Sequence, residues 1–259
     1  MVVVKNGIIK NDHEIALMRE AGKINAEVLE AIKEMIKPGV KTRELDQAAE
    51  EIIRSYGAEP TFKGYPGPYP FPATLTVSIN EEMVHGIPSG RTLKEGDIVS
   101  IDCGTTHQGF IGDSAFTAGV GQITSQARKL IQVTREALDR GIEKMRAGNH
   151  VGDVSAAIQE HVEDHGFHVP RKYTGHGVGR KMHEPPQVPN FGVPGKGLEL
   201  RKGMTIAIEP MVLVGTNKTK VLSDKWTVIS EDQSLTAHYE HTIAVTDGEP
   251  VILTRYERD

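Results

Sequence analysis

The sequence predicts an α+β protein built from two related halves, about residues 12–120 and 121–250. Three observations predict it. Helix-period and strand-period apolar patterns alternate along the chain. A helical stretch of the first half reappears in the second. Two similar apolar segments, one per half, also end in an acid. "LKEGDIVSIDCG" (Leu93 to Gly104) ends in Asp102, and 107 residues on "LRKGMTIAIEPM" (Leu200 to Met211) does so in Glu209.

Asn11 and Glu14 form a capping box ahead of a helical pattern through Ile15, Met18, Ile24, Val28, Ile32 and Met35. Pro38-Gly39 stops it. Thr42 opens a second helix through Leu45, Ala49, Ile52 and Ile53 to Gly57. Residues 58–92 are rich in proline and glycine, with a strand expected over Thr74 to Asn80. Two more strands are expected near Ile98–Cys103 and Phe110–Thr117.

The pattern then starts again. Thr124 caps a helix through Leu130, Val133, Ala137, Leu138, Ile142 and Met145. Gly148 breaks it, and another helix is expected from about Gly152 to Gly166. Ile32 and Met35 match Ile142 and Met145, while Gly39, Leu45, Ala48, Ile53 and Gly57 match residues 109 further on. Several matches in one order indicate an internal duplication, with a pseudo-twofold axis relating the halves. Equivalent strands of such halves meet at the centre, so Asp102 and Glu209 are expected to face one another there.

At 259 residues, 38% hydrophobic and 25% charged, the chain can bury a sizeable core as one large domain or two small ones. A net charge of −5 gives no electrostatic case for nucleic acid or an anionic membrane as partner. The N-terminal apolar run Val2–Val4 is too short for a signal peptide or a membrane span. Cys103 is the single cysteine, so no internal disulfide forms and a reducing, cytoplasmic setting is expected.

The acids carry the chemistry. A turn centred near His107–Gln108 would set Asp102 opposite Asp113, with Cβ atoms ~5 Å apart. Glu209 ends its strand and Glu240 lies within "AHYEHTIAV". Four acids converging on an apolar centre are too costly without positive charge between them, and divalent cations supply it. Read singly, each acid could equally cap a turn or pair with an arginine.

Histidines complete the set. His176 and His183 lie seven apart in the glycine-rich "YTGHGVGRKMHEPP", and neutral imidazole beside carboxylates suits a borderline metal. Glycines flanking His176 allow close backbone approach. His85 in "MVHGIP" looks like the counterpart of His183 in "KMHEPP", so the two could flank the centre. His161 and His165 are spaced i, i+4, but Val162 stands where a zinc-protease helix needs Glu, so they read as a solvated helix face. His13, His107, His150, His238 and His241 read as surface or packing residues. "GHGVGR" fails the dinucleotide fingerprint because Arg180 fills its last glycine position. Cys103 faces away from Asp102 and is no nucleophile candidate.

Taken in order, these residues and the motifs "SINEEMVHGIP", "GDIVSIDCG", "GDSAFT", "YTGHGVGRKMHEPPQVPN", "GMTIAIEPM" and "SLTAHYEHTIAV" resemble the type I methionine aminopeptidases. The resemblance runs from the first helix to about Leu253. It implies the pita-bread fold: one domain over 1–259, two pseudo-twofold-related halves, helices outside a central curved antiparallel sheet. It implies two divalent ions (Co, Mn, Fe or Zn), with Asp102 on one, His176 and Glu209 on the other, and Asp113 and Glu240 bridging both. Glu209 would also move a proton, and His85 and His183 would contact substrate. Trp226 matches a pocket tryptophan, and Met182 stands where relatives often carry an aromatic. The proline-rich segment Phe62 to Leu75 leaves the pocket wall open among Tyr65, Tyr69 and Phe71.

The implied reaction removes an initiator methionine ahead of a small second residue. Its substrates would be N-terminal methionine peptides and nascent chains near the ribosome, and the enzyme a monomer. Two alternatives remain: a proline-directed aminopeptidase or prolidase of the same fold, and a non-catalytic binding relative. The first usually has a separate N-terminal domain, and the second expects broken ligands.

Overall fold

The computed structural model describes residues 2–4 and 7–256. Four helices form where the periodicity predicts them: α1 Asp12–Met35, α2 Thr42–Ser55, α3 Ser125–Glu143 and α4 Val151–Asp164. Asn11 caps α1 by accepting from the Glu14 amide at 2.9 Å, and Glu14 returns the bond to the Asn11 amide. The Thr124 hydroxyl caps α3 through the Ala127 amide at 3.1 Å.

These helices cover a nine-stranded sheet in which every pairing is antiparallel. Its main path runs Glu59–Pro60, Ile98–His107, Phe110–Gly119, Glu240–Ala244, Thr205–Ile208, Thr174–Gly177, Glu184–Pro189. Leu75–Ile79 also pairs with Ile98–His107, and Val251–Ile252 with Glu240–Ala244. The strands contributed by the two halves meet where Phe110–Gly119 pairs with Glu240–Ala244. The architecture is the α+β pita-bread arrangement expected.

Helices α1 and α2 pack on the strands of residues 59–119, while α3 packs on Phe110–Gly119 and on later strands and α4 on later ones. One apolar core draws on residues 24–120, including Val28, Leu45, Ile53, Leu75 and Ile101. Another draws on residues 127–245 with Ile98, including Leu130, Ile158, Ile206 and Ile243. Gly39 and Gly148, 109 apart, sit at φ 95° and 91°, and Gly57 and Gly166 at 66° and 81°. Each pair ends corresponding loops in a conformation that favours glycine.

The central hairpin corrects the expected register. Gln108 and Gly109 take φ 48° and 75°, both left-handed, so they form the two-residue turn themselves. His107 therefore pairs with Phe110, Asp102 with Ala115, and Gly104 with Asp113. Asp102 and Asp113 are diagonal neighbours, not direct partners. The shift is even, so both acids keep the same face.

Polar ties fasten this hairpin to its surroundings. Buried Asn25 of α1 donates to the Cys103 carbonyl and accepts from the Ser114 hydroxyl. The Thr242 hydroxyl donates to the Asp113 carbonyl at 2.9 Å and accepts from its amide at 3.1 Å. Among the described residues, no helix is long and apolar enough to cross a membrane.

Candidate active site

Every acid and histidine assigned a role from the sequence, with Tyr65, Met182 and Trp226, lines one pocket where the two sets of strands meet. Asp102 and Asp113 come from the central hairpin, Glu240 from the facing strand and His176 from the strand Thr174–Gly177. Glu209 directly follows the strand Thr205–Ile208. Its carbonyl accepts from the Asn190 side chain at 3.0 Å.

The glycines beside His176 are there for space. A Cβ on Gly175 would lie 2.5 Å from the Ala207 oxygen, and one on Gly177 would lie 2.3 Å from the Pro185 oxygen. His176 Nδ1 lies 3.0 Å from the Gly177 carbonyl, which can only accept, so Nδ1 carries the proton. Nε2 then offers its lone pair, 3.4 Å from Glu209 Oε1 and 3.7 Å from Asp113 Oδ2. Asp113, His176 and Glu240 each present a ligand atom within 4.8 Å of the others.

The electrostatics are severe. Burial, reinforced by Asp113, raises Asp102 well above the usual carboxylate range, and the Thr76 hydroxyl only partly offsets this. Burial raises Glu209 and Glu240 in the same way, with the neighbouring acids adding to it. Burial pushes Asp113 to about 7. Burial and the His183 ring lower His176 to about 3 and His85 to about 4, so both are neutral near pH 7. Burial alone lowers His183.

Oxygens Oδ1 of Asp102, Oδ1 of Asp113 and Oε1 of Glu240 are buried with no hydrogen-bond partner among the described residues. Native interiors rarely leave such groups unmatched, and each orphan calls for an ion or water. An oxygen-rich set with one imidazole fits divalent cations.

Beside the acids lies an apolar wall of Phe62, Tyr65, Phe71, Met182 and Trp226. Phe71 meets Trp226 edge-on at 5.2 Å, and the Tyr65 hydroxyl lies 2.6 Å from His183 Nδ1. Of the three aromatics left open by the sequence, Tyr65 and Phe71 line the pocket. Tyr69 is exposed, packs edge-on against Trp226 and donates to the Asp224 carbonyl at 2.8 Å.

Two features of the pocket's surroundings escape sequence reading. His238, expected only to pack, is buried with Nε2 3.7 Å from Glu209 Oε2. It stands two residues before Glu240, a spacing that would share a face in a continuous strand and was the available signal, although the chain changes strand between them. Lys10 and Glu184 form a buried ion pair at 2.7 Å. Glu184 also accepts from the Arg180 and Lys181 amides at 3.0 and 3.2 Å, which holds the loop carrying Met182 and His183. No local motif announces a pair 174 residues apart.

Residues 16–247 match metallopeptidase family M24. The chain belongs to that family. Within M24 it is 53% identical to a methionine aminopeptidase of Clostridium acetobutylicum, over 96% of this chain and 99% of that one. It is 50% identical to methionine aminopeptidase 1 of Bacillus subtilis, over 96% and 99%. The crystal structure of a Thermotoga maritima methionine aminopeptidase superposes with a TM-score of 0.94 at 46% identity, covering 96% of this chain and 99% of that one. Membership of M24, a metallopeptidase family, agrees with a pocket whose unmatched oxygens call for divalent cations.

Proposed function

We propose that this protein is a methionine aminopeptidase, removing N-terminal methionine from peptides and nascent chains when the second residue is small. The observation that carries the reading is the junction of an acid-histidine cluster with an aromatic, methionine-sized apolar wall. Similarity to methionine aminopeptidases over almost the whole chain supports it. The Pyrococcus furiosus prolidase is more distant, at 25% identity and a TM-score of 0.77, with 66% of its chain covered.

In this reading Asp102, Asp113, His176, Glu209 and Glu240 hold two divalent ions. Bound there, such ions activate water near neutral pH and polarise a carbonyl. The chain's own groups do the rest. Trp226, Met182, Tyr65 and Phe71 receive the unbranched methionine side chain, whose thioether packs well on aromatic edges. His85 and His183, neutral through burial, donate to the scissile amide as charge develops. Glu209, steadied by Asn190 through its backbone, carries a proton to the leaving amine. The resemblance to type I methionine aminopeptidases implies a monomer acting on emerging chains, and the lone cysteine fits a reducing, cytoplasmic setting.

The test is chelation, then return of Mn, Fe, Co or Zn singly, with Met-Gly-, Met-Ala-, Met-Leu- and Xaa-Pro- peptides as substrates. Metal-dependent methionine release ahead of glycine or alanine is expected. Glu209→Gln should lower kcat by about 10²–10⁴-fold. Cleavage confined to Xaa-Pro peptides would move the protein to the proline-directed branch. A folded protein with no turnover under any metal would make it a binding relative.

A further inference from the structure

Helices α3 and α4 pack against one another and bring Glu136, His161 and His165 together. None of the three lines the active-site pocket. The sequence reads the two histidines as a solvated helix face, yet both are part-buried and the His161 side chain is 14% exposed. One ligand atom from each of the three residues lies within 4.8 Å of the other two.

We propose that Glu136, His161 and His165 form a separate zinc-class metal site that clips α4 to α3. Spacing at i, i+4 stacks the two rings on one face of α4, with centroids 4.5 Å apart. His165 Nδ1 lies 2.7 Å from the His161 carbonyl, which can only accept. Nδ1 therefore carries the proton, and Nε2 keeps a lone pair for an ion, the tautomer that ligand histidines commonly adopt. Without an ion His161 Nε2 donates to Glu136 Oε2 at 3.1 Å, a proton the metal would displace, and the other oxygen of Glu136 accepts from the Gln132 amide at 2.8 Å. The carboxylate is thus oriented from behind, with Oε2 turned to the rings. The neighbouring cation, Lys129, is engaged elsewhere: it donates to the His165 carbonyl at 3.1 Å and lies over the Phe167 ring.

Two imidazoles and one carboxylate select borderline ions such as Zn²⁺ over Mg²⁺ or Ca²⁺. Three protein ligands leave a fourth, tetrahedral position for water. The bound ion would tie the end of α4 to the middle of α3 and stabilise the second half.

Equilibrium dialysis of metal-free protein against ZnCl₂, with zinc measured by atomic absorption, tests this. Wild type should take up one zinc per chain more than His161→Ala or Glu136→Gln, and its zinc-induced rise in Tm should exceed theirs. Manganese-dependent hydrolysis of a Met-Ala- peptide should be the same in all three. Zinc titration followed by imidazole ¹⁵N NMR of the wild type should shift His161 and His165 Nε2, a readout that needs no variant to fold. Equal zinc content in all three proteins, or shifts confined to His176, would overturn the proposal.

Discussion

His85 holds φ at 61°, a conformation that is unfavourable for a side chain with a Cβ. The backbone there is bent to aim an imidazole into the pocket, where it lies 6.4 Å from the Trp226 ring. His183 reaches the same space from the other side, its ring 4.3 Å from that of His176. If both donate to the scissile amide only as charge develops, His183→Ala should lower kcat by about 10²–10³-fold while KM changes little. Steady-state kinetics on Met-Ala- peptides checks this, and a loss confined to KM would return His183 to a binding role. The acids make a second prediction. Asp113, pushed to about 7 by burial, is largely protonated at pH 6 in the metal-free protein, and its neighbours are also raised. A cation must displace those protons. Calorimetric titration at pH 6, repeated in buffers of different ionisation enthalpy, should show at least one proton released per chain. The number should fall as pH rises. His176, neutral down to about 3, adds no step near its ordinary value of 6.5.

At the scale of elements, helices and central strands were legible because their apolar periods are long and their caps are local. Asn11, Thr124 and the glycines that end each helix stand beside the residues they govern. The hairpin register was harder, since it depends on which two residues take positive φ. The sequence reading centres the turn near His107–Gln108, and the structure places it at Gln108–Gly109. The acids still shared a face because an even displacement preserves strand parity. What stayed illegible is long-range: Asn25 joining α1 to two strands, and Lys10 meeting Glu184 across the fold. That pair yields a prediction. Lys10→Met leaves the Glu184 carboxylate buried without its cation, which costs about 3–5 kcal/mol. Urea unfolding should show that loss. The loop bearing Met182 and His183 should also loosen, raising KM for methionine peptides.

For the whole molecule, the 109-residue offset of paired glycines supports two related halves, and an apolar cluster holding Phe62, Phe110, Val178 and Ala244 draws on both of them. The pocket lies at their junction and takes acids from both. Cations there should bind the folded chain far better than the unfolded one. At a hundredfold excess over Kd, one such ion adds about 2.7 kcal/mol. In a chain of this size that is worth roughly 5–10 °C in Tm. Calorimetry with and without chelator should show this shift in a single transition. Two separate transitions would mean that the halves unfold independently.

Dividing much of the apolar packing between two large clusters, with a smaller one bridging the halves, also shapes how this protein tolerates mutation. A change that loosens the packing around Leu130 and Ile158 is felt first within its own cluster, and one around Leu45 and Ile53 within the other. Each interior can therefore drift under its own volume constraint. The five acid and histidine positions at the seam answer to both halves at once and have no such freedom.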